Sequence, residues 1–170
     1  DLGMIPASVP MVMKRMQILA LELQRMPKLN WERYGNCSKY DYFSVCATSS
    51  HDISSIRGWW EENRNETQWF YNNVLQCSGE APVAASGKIV KSIIDMNLKS
   101  PSMLCINPIQ DYAGIIDNMP HLLPHEERIN DPANANHYWR YRMPFCIDEA
   151  VVKYPDLHTT VRQMVAESGR

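Results

Sequence analysis

Apolar positions along the chain fall into a few short continuous runs separated by longer stretches with helical spacing. Residues 42–47 are brief, β-prone and apolar on both faces, the habit of a parallel strand covered on both sides. Residues 17–23 and 102–106 form two more runs of this kind. Apolar spacing of three and four predicts helices over 5–15, 54–63, 66–77, 82–98, 147–153 and 157–167, with a helical turn or two at 109–116. Pro6 begins the first of these and Pro10 is expected to interrupt it. Ser54 or Ser55 is available to cap the second, Pro82 sits in the first turn of the fourth, and Asp156 caps the last. Residues 24–41 are turn-rich and aromatic and 118–142 are rich in Pro and Asn, so both read as loops.

Strands alternating with helices predict an α/β fold with a parallel sheet. Right-handed crossovers would place the helices outside that sheet. Three strands suit a small α/β domain, or a part of a (β/α)₈ TIM barrel, which takes eight strands and about 250 residues. The pattern by itself leaves both open.

Composition narrows the function classes. The 170 residues are 45% hydrophobic and 21% charged, the balance of a globular chain, with no repeat or linker to divide residues 1–170. A net charge of −2 with scattered basic residues disfavours nucleic acid and anionic membrane surfaces as partners. No apolar run approaches the roughly 18 residues of a membrane-spanning helix, and the first residues lack a signal-peptide pattern. The missing initiator Met reads as processing, truncation or an internal start. Five cysteines without a CxxC spacing argue against zinc and for a reducing, cytoplasmic setting. His121 and His125 have a metal-like spacing, but Pro124 breaks any helix between them. We expect no metal and no cofactor.

The segment 44–62 carries the most chemistry. A buried strand ends at Ala47, polar residues follow to Asp52, and a helix then begins. Ligand sites of parallel α/β folds lie at the carboxyl ends of strands, where His51 and Asp52 fall. Taken alone, the pair is more often a capping Asp beside a solvated His. Trp59, Trp60 and Trp69 read as helix packing, whereas Trp31, Tyr34 and Tyr40 lie in a loop on the ligand side. Arg57, Arg140 and Arg142 read as structural ion-pair formers.

The wider string Ser49-Ser-His-Asp52, with Trp59-Trp60 downstream, resembles the end of the seventh barrel strand in 4-α-glucanotransferases, the amylomaltase and disproportionating-enzyme family. Three further segments resemble that family in the same order. Asp1-Leu-Gly3 is similar to the end of a Glu-Asp-Leu-Gly motif after the fifth strand. Ser102 to Tyr112 resembles the eighth strand, with its Gln110-Asp111 pair. Arg128-Ile-Asn-Asp-Pro132 and Trp139-Arg-Tyr-Arg142 resemble the Arg-x-Asn-x-Pro loop and the Trp-Arg-x-Arg after it. The Ser50 form is closer to the cytosolic, maltose-using branch.

This resemblance implies strands six to eight of a barrel that is incomplete in this chain. It implies that Asp52 is the third catalytic carboxylate, with His51 binding hydroxyls of the sugar at the cleavage point. Gln110, Asp111, Asn130 and Asp131 are the other substrate-binding positions it implies. The implied reaction is a retaining transfer of α-1,4-glucosyl units between maltose, maltodextrins or glycogen-like glucans. Its nucleophile and acid/base lie on the family's fourth and fifth strands, ahead of Asp1, so the chain alone is expected to be inactive without the amino-terminal part of the same enzyme. A related α-glucan hydrolase segment and a non-catalytic carbohydrate-binding module are the alternatives.

Overall fold

A computed structural model describes residues 6–137 and 139–170. The Asp1-Leu-Gly3 segment and Tyr138 lie outside the described residues. Three strands, β1 (Ala20–Leu23), β2 (Ser44–Ala47) and β3 (Leu104–Cys105), form one parallel sheet in the order β1-β2-β3. The register sets Ala20 against Ser44 and Leu23 against Ala47, then Val45 against Leu104 and Cys46 against Cys105. All three strands are shorter than the apolar runs that predicted them, because the runs continue into turns; Gln17, for example, adopts φ 55°.

The first helix, α1, spans Val9–Arg15. Pro10 sits in its first turn rather than breaking it, since the N–H that proline lacks has no partner there in any helix. The crossover from β1 to β2 carries only a short 3-10 turn, Cys37–Lys39. Three helices separate β2 from β3: α2 (Ile56–Glu62), α3 (Arg64–Asn73) and α4 (Gly87–Leu98). Side chains of Ser55, Asn63 and Ser86 accept from backbone N–H groups at their starts, satisfying donors that a helix cannot satisfy itself. Pro82 therefore lies ahead of α4, which begins only where Ser86 offers a cap. Gly87 is obligatory there: a Cβ would stand 2.1 Å from the carbonyl oxygen of Ile115.

After β3 come α5 (Ile109–Ala113), a 3-10 turn at Pro124–Glu127, α6 (Ile147–Lys153) and α7 (Pro155–Glu167). Pro155 opens α7, and Asp156 is an acidic first-turn residue instead of the cap, because the chain turns at Tyr154.

The core lies on one side of the sheet. Ile56 and Trp60 of α2, Phe70 of α3, five aliphatic residues of α4 and Met164 of α7 are buried together. Ile89, Val90, Ile93, Ile94 and Leu98 make one stripe of α4, and burying each contributes roughly 1.5–3 kcal/mol. Ser44 and Cys46 face the helices and are fully buried, while on the opposite face Leu23 and Ala47 are buried and Leu104 is 43% exposed. Cover on both sheet faces, expected from the apolar runs, is thus complete on one side and partial on the other among the described residues. The turn between α4 and β3 is held by Arg170, whose guanidinium donates to Leu98 O at 2.6 Å, Ser100 O at 2.7 Å and Ser102 O at 2.8 Å.

Candidate active site

The turn from β2 into α2 carries the polar residues Thr48 to Ser55, and neighbouring elements fix it from several sides. Asn107, just past β3, accepts from Thr48 N through Oδ1 at 3.0 Å. Asp111 on α5 reaches underneath: Oδ2 accepts from Thr48 Oγ1 at 2.6 Å and Ser49 Oγ at 2.7 Å, and Oδ1 accepts from Ile56 N at 2.7 Å. Arg25, just after β1, donates to Thr48 O at 2.9 Å and Ser54 O at 2.7 Å and lies over the Trp59 ring, 5.1 Å from its centroid. Burial pulls the Arg25 pKa down, and the carboxylates of Asp111 and Glu62 oppose that shift.

Above this base, His51 and Asp52 stand half-exposed on the rim. Their side chains meet at 3.2 Å between His51 Nε2 and Asp52 Oδ2. Asn130 Nδ2 donates to Asp52 Oδ1 at 2.6 Å, and Asn130 N donates to His51 O at 2.9 Å. Arg128 donates to Asp52 O at 2.9 Å and to Asn130 O at 2.9 Å, and its guanidinium lies 3.8 Å from Asp131 Oδ1. The His51 ring rests against Trp139, centroids 4.9 Å apart. The loop that contributes Arg128 to Trp139 is thereby folded over the pair. An ionised carboxylate has about four acceptor positions. Asn130 occupies one on Oδ1 and His51 Nε2 stands beside Oδ2, which leaves the rest to the open side.

Glu127 anchors the root of that loop. It is 3% exposed, accepts from Ser55 Oγ at 2.7 Å and is ion-paired with Arg57, while its backbone carbonyl accepts from Gln110 Nε2 at 3.1 Å. Burial holds the Glu127 carboxyl above its ordinary range, against the opposing pulls of Ser55 and Arg57.

Of the positions named from the sequence, the fold brings His51, Asp52, Asn130 and Asp131 to one rim at the carboxyl end of β2. Gln110 and Asp111 lie below it, 5% and 1% exposed, with their polar groups spent on the protein. That placement is at odds with direct substrate contact for these two: a carboxylate serving three protein donors under the loop presents nothing to solvent. Arg25, Glu127 and Trp139 were given no role in the sequence. Only Trp139 carried a signal, its place in the Trp-Arg-x-Arg segment; Arg25 and Glu127 look like ordinary surface charges until the loops close over them.

Comparison with known proteins agrees with the geometry. The Glyco_hydro_77 family model, described as 4-alpha-glucanotransferase, matches residues 1–148. The 4-alpha-glucanotransferase DPE2 of Oryza sativa subsp. japonica is 37% identical over 170 residues, which is 100% of this chain and 18% of that relative. A 4-alpha-glucanotransferase of Chlamydia trachomatis is 28% identical over 160 residues, covering 88% of the chain and 28% of the relative. The chain therefore spans under a third of the length of either. Among solved structures, an amylomaltase from Streptococcus agalactiae in complex with acarbose superposes with a TM-score of 0.74 at 16% identity, over 100% of this chain and 31% of that one. The α/β architecture is thus that of part of an amylomaltase TIM barrel, and with 148 of its residues matched by the family model, the chain belongs to the 4-alpha-glucanotransferase family.

Proposed function

We propose that this chain forms the part of a 4-alpha-glucanotransferase barrel that holds the glucan at the cleavage point, acting on α-1,4-glucans such as maltose, maltodextrins or glycogen-like chains. The observation that carries the reading is the Asp52 carboxylate. It is oriented by His51 and Asn130, open on one side, and mounted on a turn that Asp111 and Arg25 immobilise.

Retaining transfer uses two carboxylates about 5–5.5 Å apart, a nucleophile and a general acid/base. The resemblance assigns both to the amino-terminal part of the same enzyme. Asp52 then accepts from ring hydroxyls next to the reacting carbon through its uncommitted lone pairs. As the sugar gains positive charge on the way to an oxocarbenium-like state, the fixed negative charge of Asp52 gains attraction. Interactions that strengthen on this path accelerate the reaction, whereas equal binding of both states does not. His51 presents its ring beside one oxygen of Asp52, and Asn130 holds the other. Asn130 and Asp131 border the same opening and serve the acceptor side. Asp111 and Gln110 act from beneath by holding the turn and the loop root. Five cysteines without a CxxC spacing support a reducing cytoplasmic setting.

The test uses the enzyme that carries this chain together with its amino-terminal part, following glucose release from maltose. Asp52→Asn keeps the shape and removes the charge, so turnover is expected to fall by roughly 10² to 10³ with little change in maltose affinity. A variant retaining more than about a tenth of wild-type turnover, a loss under roughly 1.4 kcal/mol, would return Asp52 to the rank of a loop residue.

A further inference from the structure

A well-formed cavity lies away from the rim. It lies between the crossover that follows β1 and the helices α3 and α4, has a volume of about 440 Å³, and shares no lining residue with the His51–Asp52 site. Small-molecule clefts run from roughly 300 to 1,000 Å³, so one or two small rings suit the space. Trp69, Val74 and Met96 give its wall apolar surface, and Asn36 and Asn73 give it amides. Asn36 commits its oxygen to Ser38 and Asn73 its nitrogen to Trp69 O, leaving a donor on one and an acceptor on the other. The charged lining residues Asp95 and Lys99 pair with each other at 2.6 Å. Their charges cancel, which favours an uncharged ligand.

A second observation lies in the wall itself. Gln24 is 3% exposed and lines this cavity, yet its carboxamide is almost unused. The nitrogen has one long contact, 3.8 Å to the Met96 sulfur, and the oxygen has no partner among the described residues. Turning the amide over exchanges the two ends without satisfying both. Buried polar groups are nearly always partnered, so an orphaned amide in the residues that wall a cavity marks a missing group. A hydroxyl both donates and accepts, and so serves either amide orientation.

We propose that this cavity is a second carbohydrate site, taking a neutral sugar of one or two hexose rings. One hydroxyl bonds Gln24, others bond the free ends of Asn36 and Asn73, and the C–H surface of the ring lies against Val74, Met96 and the Trp69 side of the wall. The site stands independently of the role proposed for Asp52.

The experiment is an ¹H–¹⁵N NMR titration of the chain with glucose and, separately, with maltose, using glutamine as a zwitterionic control of similar size. We expect saturable shifts of the Gly35, Val74 and Lys99 amides, with a Kd of about 1 mM for the better sugar. Asp52→Asn should leave these shifts intact. Gln24→Leu should weaken binding about tenfold, the order of one lost hydrogen bond to a buried group. Ser38→Trp, at an exposed position of the wall, should block the cavity without touching the core. The proposal is overturned if neither sugar gives saturable shifts, if the shifts are confined to residues 48–52 and 128–131, if neither variant weakens them, or if glutamine produces them equally well.

Discussion

Replacing Asp111 by Ala puts the architecture beneath the rim to its hardest test. Three donors converge on this carboxylate, Thr48 Oγ1 at 2.6 Å, Ser49 Oγ at 2.7 Å and Ile56 N at 2.7 Å, around a side chain that is 1% exposed. Hydrogen bonds to a charged group contribute about 1.5–3 kcal/mol each, so the bare sum is roughly 4.5–9 kcal/mol. Two of the donors are hydroxyls that rotate to other acceptors, which removes part of that. The third is a backbone N–H in the first turn of α2, where no carbonyl of the helix can replace the lost partner. The expected destabilisation is therefore about 3–5 kcal/mol, read as a shift in the urea midpoint of tryptophan fluorescence at constant m-value. Asp111→Asn should cost less, about 1–2 kcal/mol. Its oxygen can stay on Ile56 N while its NH₂ donates to hydroxyls that now accept. If the Ala variant lost less than about 1 kcal/mol, a typical surface-scale effect, the carboxylate would not be what fixes the turn, and the account of how Asp52 is positioned would fall.

Other outcomes follow from the same geometry. Arg25→Ala removes the one nitrogen, Nη2, that serves both the Thr48 and Ser54 carbonyls, and should destabilise by about 2–4 kcal/mol in the same assay; an unchanged midpoint would show that these bonds are idle. Gly87→Ala forces a Cβ onto the Ile115 carbonyl and should lower stability by about 1–3 kcal/mol, although alanine is the better helix former; a gain would mean that α4 moves freely. Burial raises the Glu127 pKa, so the group favours the folded state below the ordinary carboxylate range and loses that contribution as pH rises through its raised value. The stability difference between wild type and Glu127→Gln should accordingly shift against wild type as pH rises out of the ordinary carboxylate range in urea titrations, and a shift the other way would show that Arg57 outweighs burial.

Much of the fold was legible because periodicity survives in the elements that carry the core. The stripe of α4 and the runs at β1 and β2 follow directly from where apolar residues recur, and α6 coincides with residues 147–153 as read from its spacing. Boundaries were harder. Pro82 looked like the start of a helix that waits for Ser86, and Pro10 looked like a break where it is a beginning, since both depend on which neighbour supplies the cap. At the site, His51 and Asp52 were legible as polar residues at a strand end. The inward placement of Asp111 was not. A short motif reports which side chains occur together, whereas their direction depends on the approach of α5 to the β2–α2 turn, which only long-range packing decides.

The pairing of β3 with β2 extends over just two ladder positions and closes the longest excursion of the chain between strands. Loop closure costs more as the loop lengthens, while two ladder positions return little, so this edge is the part of the sheet that opens most readily. Because Asn107 and α5 follow β3 directly, each such opening also withdraws the Asn107 and Asp111 contacts from Thr48, Ser49 and Ile56. Amide exchange at Ile106 and at Ile56 should then proceed with one common rate, faster than at Leu21 and Glu22. The breathing of a sheet edge and the firmness of the turn that presents Asp52 are in this sense a single motion.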